Sequence, residues 1–296
     1  MTSYYSALFF TAFLPITVML YGMAPRRFRW AVLLLASYGF FFALSGALIA
    51  FVALSTAVVY ACARMMGANL AEKNRQLATA SSGKREIREA CKRKNRRIVF
   101  AAVVANIGIL AVLKYSGFFG LSLASTLAAF GISIDLSIPS FALPIGISFY
   151  TLMAVSYVVD VYRERTKADK NLGHVALFLA FFPGIMEGPL SRYNDVAPSL
   201  IAGEPLNRKN LYAGTLRIMW GMAKKIIVAD RLNAFVKPVF DNYGSYDGGV
   251  IALAAILYTI QLYCDFSGTM DVALGMGRVF NRSEERRVGK ECSTRW

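Results

Sequence analysis

The segment Tyr258-Thr-Ile-Gln261-Leu-Tyr263-Cys264-Asp265-Phe-Ser267-Gly-Thr-Met-Asp271 sets hydroxyls, an amide and two carboxylates against the end of an apolar run. On a helix, Tyr258, Gln261 and Asp265 stand at i, i+3 and i+7 and share one face. An ionisable side chain next to apolar ones is costly in lipid unless it faces protein or a water-filled cavity. The plainer alternative is a cap, with Asp265 or Ser267 opening a following helix. A second cluster runs from Phe182 to Tyr193, where Pro183, Gly184, Gly188 and Pro189 forbid a regular helix. Glu187 and Arg192 are close enough there to pair, either at a functional turn or as a surface ion pair at a lipid interface. A third, Pro144-Ile-Gly146-Ile-Ser148-Phe-Tyr150, leads to Asp160 and Arg163, which a solvated helix end explains. His174 is the single imidazole, and it separates a basic loop from an apolar run. That setting predicts a residue at headgroup level and not a catalytic base. No Ser/His/Asp constellation, P-loop or dinucleotide-binding turn stands out. Cys62, Cys91, Cys264 and Cys292 form no CxxC pair, so no metal site is expected.

The elements that must position these groups are membrane helices. Of 296 residues, 56% are hydrophobic and 17% charged, and mean hydropathy is +0.46. The apolar residues come in uninterrupted runs long enough to cross the hydrocarbon core. The spans expected are Ser3–Ala24, Phe28–Leu44, Ala47–Met66, Ile98–Lys114, Phe141–Val161 and Val250–Cys264. A net charge of +15 would raise nucleic acid in a soluble protein. Here no basic stretch carries aromatics for base stacking, so nucleic acid is not expected. The charge is instead that of loops kept next to anionic headgroups. From Arg64 to Arg97 the chain carries eleven Lys or Arg against three Glu. The basic clusters at 26–29, 64–97 and 163–170 all fall on one side if Gly117–Ile138 does not cross. Those loops are expected to be cytoplasmic, with the N-terminus outside. The N-terminal run lacks a basic leader and a small-residue cleavage site, and reads as a first span.

After residue 170 the pattern breaks. His174–Met186 is too short to span comfortably, and Asn210–Ala229 mixes apolar residues with Arg217, Lys224 and Lys225, like an interfacial helix. Irregular backbone at membrane depth is tolerated where protein or a watery cavity covers it. This region is therefore where a functional cavity is expected.

Four blocks carry a family resemblance: PIGISFYTLMAVSYVVDVYR (144–163), LFLAFFPGIMEGPLSRY (177–193), MWGMAKKIIVADRL (219–232) and QLYCDFSGTMDVALGMGRVF (261–280). In this order they resemble the membrane-bound O-acyltransferase family. The closest likeness is to its bacterial branch of alginate and peptidoglycan O-acetylation proteins and the teichoic-acid D-alanylation protein. The resemblance implies an all-α, polytopic membrane domain over 1–281, built round a tunnel. It implies an acyl thioester donor (acetyl-coenzyme A or an acyl carrier protein) on the cytoplasmic side and a cell-envelope polymer hydroxyl as acceptor. No bound cofactor is expected, while a secreted acyltransferase partner is conceivable. Gln261, Tyr263, Asp265, Ser267, Asp271, Glu187 and Arg192 would then line the cavity or position substrate. The family's histidine base sits downstream, in a Trp-Arg-Arg-Trp-His type motif, and so beyond residue 281. The stretch 282–296, RSEERRVGKECSTRW, departs abruptly from the preceding pattern and reads as a foreign, adapter-derived tail. On that reading this copy is truncated at its C-terminus and inactive. The expected function is acyl transfer, most simply of acetyl, to an envelope polysaccharide or peptidoglycan. D-alanyl transfer to teichoic acid is the alternative within the family. A transporter or flippase of lipid-linked precursors is the alternative outside it, although the paired repeats it would need are absent.

Overall fold

The computed structural model describes residues 8–79, 82–129, 146–185 and 188–281. Glu187, residues 130–145 and the stretch 282–296 lie outside the described residues, as do the corresponding parts of Gly117–Ile138 and Phe141–Val161. Among the described residues every regular element is helical. In chain order these are α1 (Leu14–Met23), α2 (Arg29–Ser45), α3 (Ile49–Thr79), α4 (Lys84–Ala129), α5 (Ile147–Tyr162), α6 (Leu172–Ala180), α7 (Phe182–Ile185), α8 (Tyr193–Ala202), α9 (Arg208–Ala223), α10 (Asp230–Asp241) and α11 (Gly248–Val279). Among the described residues three stretches are long and apolar enough to cross a membrane: Arg26–Thr79, which joins α2 to α3, Lys84–Tyr115 and Gly248–Val279. Their sides carry exposed large apolar residues such as Leu35, Phe42, Phe100, Ile256 and Leu262, as lipid-facing helices do.

Two compact units are present, and each has its own logic. One comprises residues 34–182 with 192–197. Within it α3, α4 and α5 pack on one another, and α6 packs on α3 and α5. At about 1.5 Å per residue, the 31 residues of α3 outrun a hydrocarbon core about 30 Å thick. Its polar end from Gly67 and the basic start of α4 therefore stand clear of the lipid as a helical hairpin. Inside the apolar part, polar groups stitch helices together. Tyr150 of α5 is fully buried and donates to the Val52 carbonyl at 3.0 Å. Its hydroxyl also meets Thr56 of α3 at 2.6 Å, and Ser55 of α3 donates to Asn106 of α4. With no water to turn to, such groups hold helices in register. The short apolar run after His174 is a buried internal element: Val175 to Phe182 are all under a tenth exposed.

The other unit comprises 1–33, 183–191 and 198–296. Here α9 lies along α11, and α10 also packs on α11. The turn after α8 is pinned to the first helices. Arg26 donates to the Ala202 carbonyl at 3.1 Å, Arg29 to that of Gly203 at 3.0 Å, and Tyr21 to that of Glu204 at 2.9 Å. Gly203 has φ +58°, and a Cβ there would sit 2.3 Å from the Arg26 carbonyl oxygen, so only glycine fits. Asn281, in the left-handed region at φ 59°, closes α11 by donating to the Pro205 carbonyl at 2.8 Å while accepting from Asn210 at 2.8 Å.

The Pro/Gly-rich stretch holds one helical turn, Phe182–Ile185, and Gly188 then folds back on Gly184 with a 3.1 Å N–H···O bond. The expected span Val250–Cys264 does not stop at its polar residues. α11 runs unbroken from Gly248 to Val279, so Asp265 and Ser267 stand mid-helix and cap nothing. Its partner helix supplies charges that make those side chains tolerable there.

Candidate functional site

The α9–α11 pair is the closest helix contact in its unit, and glycine spacing is the reason. Gly214 and Gly221 are seven residues apart on α9, as are Gly268 and Gly275 on α11, and both spacings keep one helix face. A Cβ on Gly221 would lie 2.5 Å from the Gly268 carbonyl oxygen, and one on Gly214 2.7 Å from that of Gly275. Residue numbers rise on one helix as they fall on the other, so the pair is antiparallel. Backbone-to-backbone approach of this kind replaces side-chain burial as the packing force in lipid.

That approach brings the cations of one helix to the carboxylates of the other. Lys224 donates to Asp271 Oδ2 at 2.6 Å and to Ser267 Oγ at 2.8 Å, while Arg217 donates to Asp271 Oδ1 at 3.1 Å. Lys225 pairs with Asp265. Consecutive lysines would diverge round a regular helix, yet both reach α11. Lys224–Ala229 is a π-helical turn between α9 and α10, the wider winding that recurs at functional positions. Further along α11, Gln261 donates to Asn233 of α10 at 3.2 Å. Its Oε1 is buried with no hydrogen-bond partner among the described residues.

Chemically, Asp271 has each carboxylate oxygen engaged by a cation, so it holds the two cations and orients them. The charge is also well enclosed: the Asp271 side chain is 16% exposed and that of Lys224 23%. Breaking such a pair is far costlier than never having built it. The arrangement is a fixed polar seam through an otherwise apolar helix pair.

Over 92% of its length the chain is 33% identical to the probable alginate O-acetylase AlgI of Pseudomonas aeruginosa and 32% identical to that of Azotobacter vinelandii. The chain is homologous to the bacterial O-acetylation proteins. A third relative, the peptidoglycan O-acetyltransferase of Helicobacter pylori, is 28% identical over 60% of the chain. No protein-family model matches the sequence. The chain spans about half the length of the alginate relatives it matches, 48% and 50% for the two named.

Within this O-acetylase homologue the residues singled out from sequence are only partly gathered. Gln261, Asp265, Ser267 and Asp271 all lie along α11 and all bond to α9, α10 or the turn between them. Tyr263, on the same helix, is 71% exposed and points away from the seam. Arg192 is exposed in the other unit, and Glu187 lies outside the described residues. Residues that sequence reasoning left unassigned to the site complete it: Arg217, Lys224, Lys225, Asn233 and the four glycines. Two signals could have found them. Cations at 217, 224 and 225 answer carboxylates at 265 and 271, and the glycine pairs share a seven-residue spacing.

His174 belongs to a separate cluster in the α5–α6 region. Its Nδ1 lies 3.2 Å from Asp169 Oδ2, which also accepts from the Tyr193 hydroxyl at 2.5 Å. The Asn171 N–H donates to Asp169 Oδ1 at 2.7 Å, and Tyr157 accepts from the Asp169 N–H at 3.1 Å. Burial alone would raise the Asp169 carboxyl, but the bonds from Tyr193 and Asn171 and the nearby His174 outweigh it and hold it below its ordinary value. Burial, together with the bond to Asp169, pushes the Tyr193 hydroxyl up. The cluster ties the loop 163–171 to the start of α8, a structural task. A carboxyl lowered on folding stabilises fully above its unfolded value, about 3.9, and stops stabilising as pH falls through the folded one. Asp169→Asn should therefore lower the unfolding midpoint in detergent at pH 6 by several degrees, and the difference from the parent should shrink below about pH 4. A difference that stays constant down to pH 3 would remove the carboxylate from this account.

Proposed function

We propose that a full-length protein containing this sequence transfers an acetyl group from a thioester donor on the cytoplasmic side to a hydroxyl of an envelope polysaccharide or of peptidoglycan. The supporting observation is the likeness to named O-acetylases over nearly the whole chain. In the reaction the acceptor oxygen attacks the thioester carbonyl carbon, the C–S bond breaks as the C–O bond forms, and the hydroxyl proton ends on the leaving thiol. None of the residues described here is assigned as the base. The histidine implied by the family resemblance would lie beyond residue 281. The seam's part is to position: it fixes α9 against α11. The basic hairpin of α3 and α4 is read as cytoplasmic, because Lys and Arg are retained on that side.

The test uses membranes carrying the full-length protein, a labelled acetyl thioester and either alginate or peptidoglycan. Labelled, alkali-labile ester on the polymer is the expected result. Labelled D-alanine appearing on teichoic acid in its place would move the reading to the D-alanylation alternative. Translocation of a lipid-linked precursor without any ester would sink the transferase reading altogether.

A further inference from the structure

The hairpin that stands clear of the lipid holds a cleft unrelated to the α9–α11 seam. It has a volume of about 790 Å³ and is walled by the polar end of α3, the first turns of α4 and the end of α5. That is the size of a small-molecule site. Arg88, Lys92 and Arg163 line it, with Lys73 and Glu164 at one side. Glu164 is already neutralised by Lys73 at 2.6 Å, so the field inside is that of the three remaining cations. Arg88, Lys92 and Arg163 are all exposed, which leaves their heads free to turn inward. The walls are fixed: Asn69 of α3 donates to Asn95 of α4 at 2.8 Å, and the Cys91 thiol donates to the Asn69 carbonyl at 3.5 Å. Leu70, Leu77 and Tyr162 give one side an apolar lining.

We propose that this cleft binds a phosphate-bearing ligand of nucleotide or lipid-headgroup size. Arg and Lys heads that turn into one cleft recognise phosphate by charge-assisted bonds. The apolar lining suits the non-phosphate part, whether a base and ribose or a glycerol backbone. Either source brings the same chemistry to the same residues. The site is independent of the transferase reading and survives its failure.

Native mass spectrometry of the 296-residue chain released from neutral detergent tests it. Adenosine 3′,5′-bisphosphate probes a soluble source and phosphatidylglycerol a membrane one, with adenosine and phosphatidylcholine as uncharged or zwitterionic controls. Retention of one anionic probe at least tenfold above its control is expected, and which probe is retained identifies the source. The exposed triple variant Arg88→Gln, Lys92→Gln and Arg163→Gln should lose that retention about tenfold. A charge-matched variant in the other unit, Arg208→Gln, Lys209→Gln and Arg231→Gln, should keep it. Equal loss in both variants would reduce the effect to bulk charge and overturn the proposal. So would retention of neither anionic probe above its control.

Discussion

Replacing Asp271 with leucine should be among the most damaging single changes to this protein, costing on the order of 3 kcal/mol of stability. The change leaves Lys224 and Arg217 facing a hydrocarbon side chain from 2.6 and 3.1 Å positions that a carboxylate now fills. Arg217 is 38% exposed and can swing partly away, which keeps the cost at the low end for an enclosed pair. On the function proposed above, acetyl transfer by a full-length protein containing this sequence should fall at least tenfold. The companion Asp271→Leu, Lys224→Met removes most of the stranded charge and should regain much of the unfolding midpoint. If activity returned together with stability, the seam would be a structural clasp with no positioning role. A stable but slow double variant would support the positioning role.

Gly221→Val should be comparably severe, through sterics and not charge. Even the first added carbon meets the Gly268 carbonyl oxygen at 2.5 Å and Val272 at 2.9 Å. Backbone cannot rotate out of the way, so the helices must part and the lysine–aspartate bonds lengthen with them. Overpacking of a tight contact costs about 1–3 kcal/mol, and here the cost spreads into the ion pairs. Gly39→Ala provides the contrast. Nothing lies within 4 Å of its added carbon, and alanine favours helix by up to about 1 kcal/mol over glycine. Thermal unfolding in one detergent should therefore show Gly221→Val well below the parent and Gly39→Ala level with it or above. Equal midpoints for the two variants would mean that the glycine contact does not hold the pair.

The helices were largely readable from residue type alone. Runs such as 47–66 and 98–114 have no alternative to burial in lipid, and Gly46 marks the turn between α2 and α3 by its φ of +54°. Hydropathy failed where a helix is partnered. α11 reads as ending at Cys264, because Asp265 and Asp271 look like surface residues until Lys225, Lys224 and Arg217 are brought beside them. The same blindness made 210–229 look like an interfacial helix, since single-helix patterning cannot see a charge answered by another helix. Asp265, Ser267 and Asp271 were nevertheless marked from their own cost in an apolar setting. Tyr263 shared their block but not their direction. His174 drew notice as the single imidazole; its partners Asp169 and Asn171 are near in sequence, but Tyr193, which completes the cluster, comes from a distant part of the chain and could not be read from spacing.

The π-helical turn at 224–229 amounts to one residue more than an α-helix needs to cover the same rise. Deleting Ile227, whose side chain is 67% exposed, would let the winding tighten to ordinary α geometry without losing backbone bonds. Everything downstream in that helix would then keep its facing, because the wider turn absorbs the one residue that is removed. Asn233 would stay beside Gln261, and α10 would present the same stripe to α11. The surplus residue works locally, turning Lys224 and Lys225 toward the same neighbour while leaving the phase of the two flanking helices unchanged.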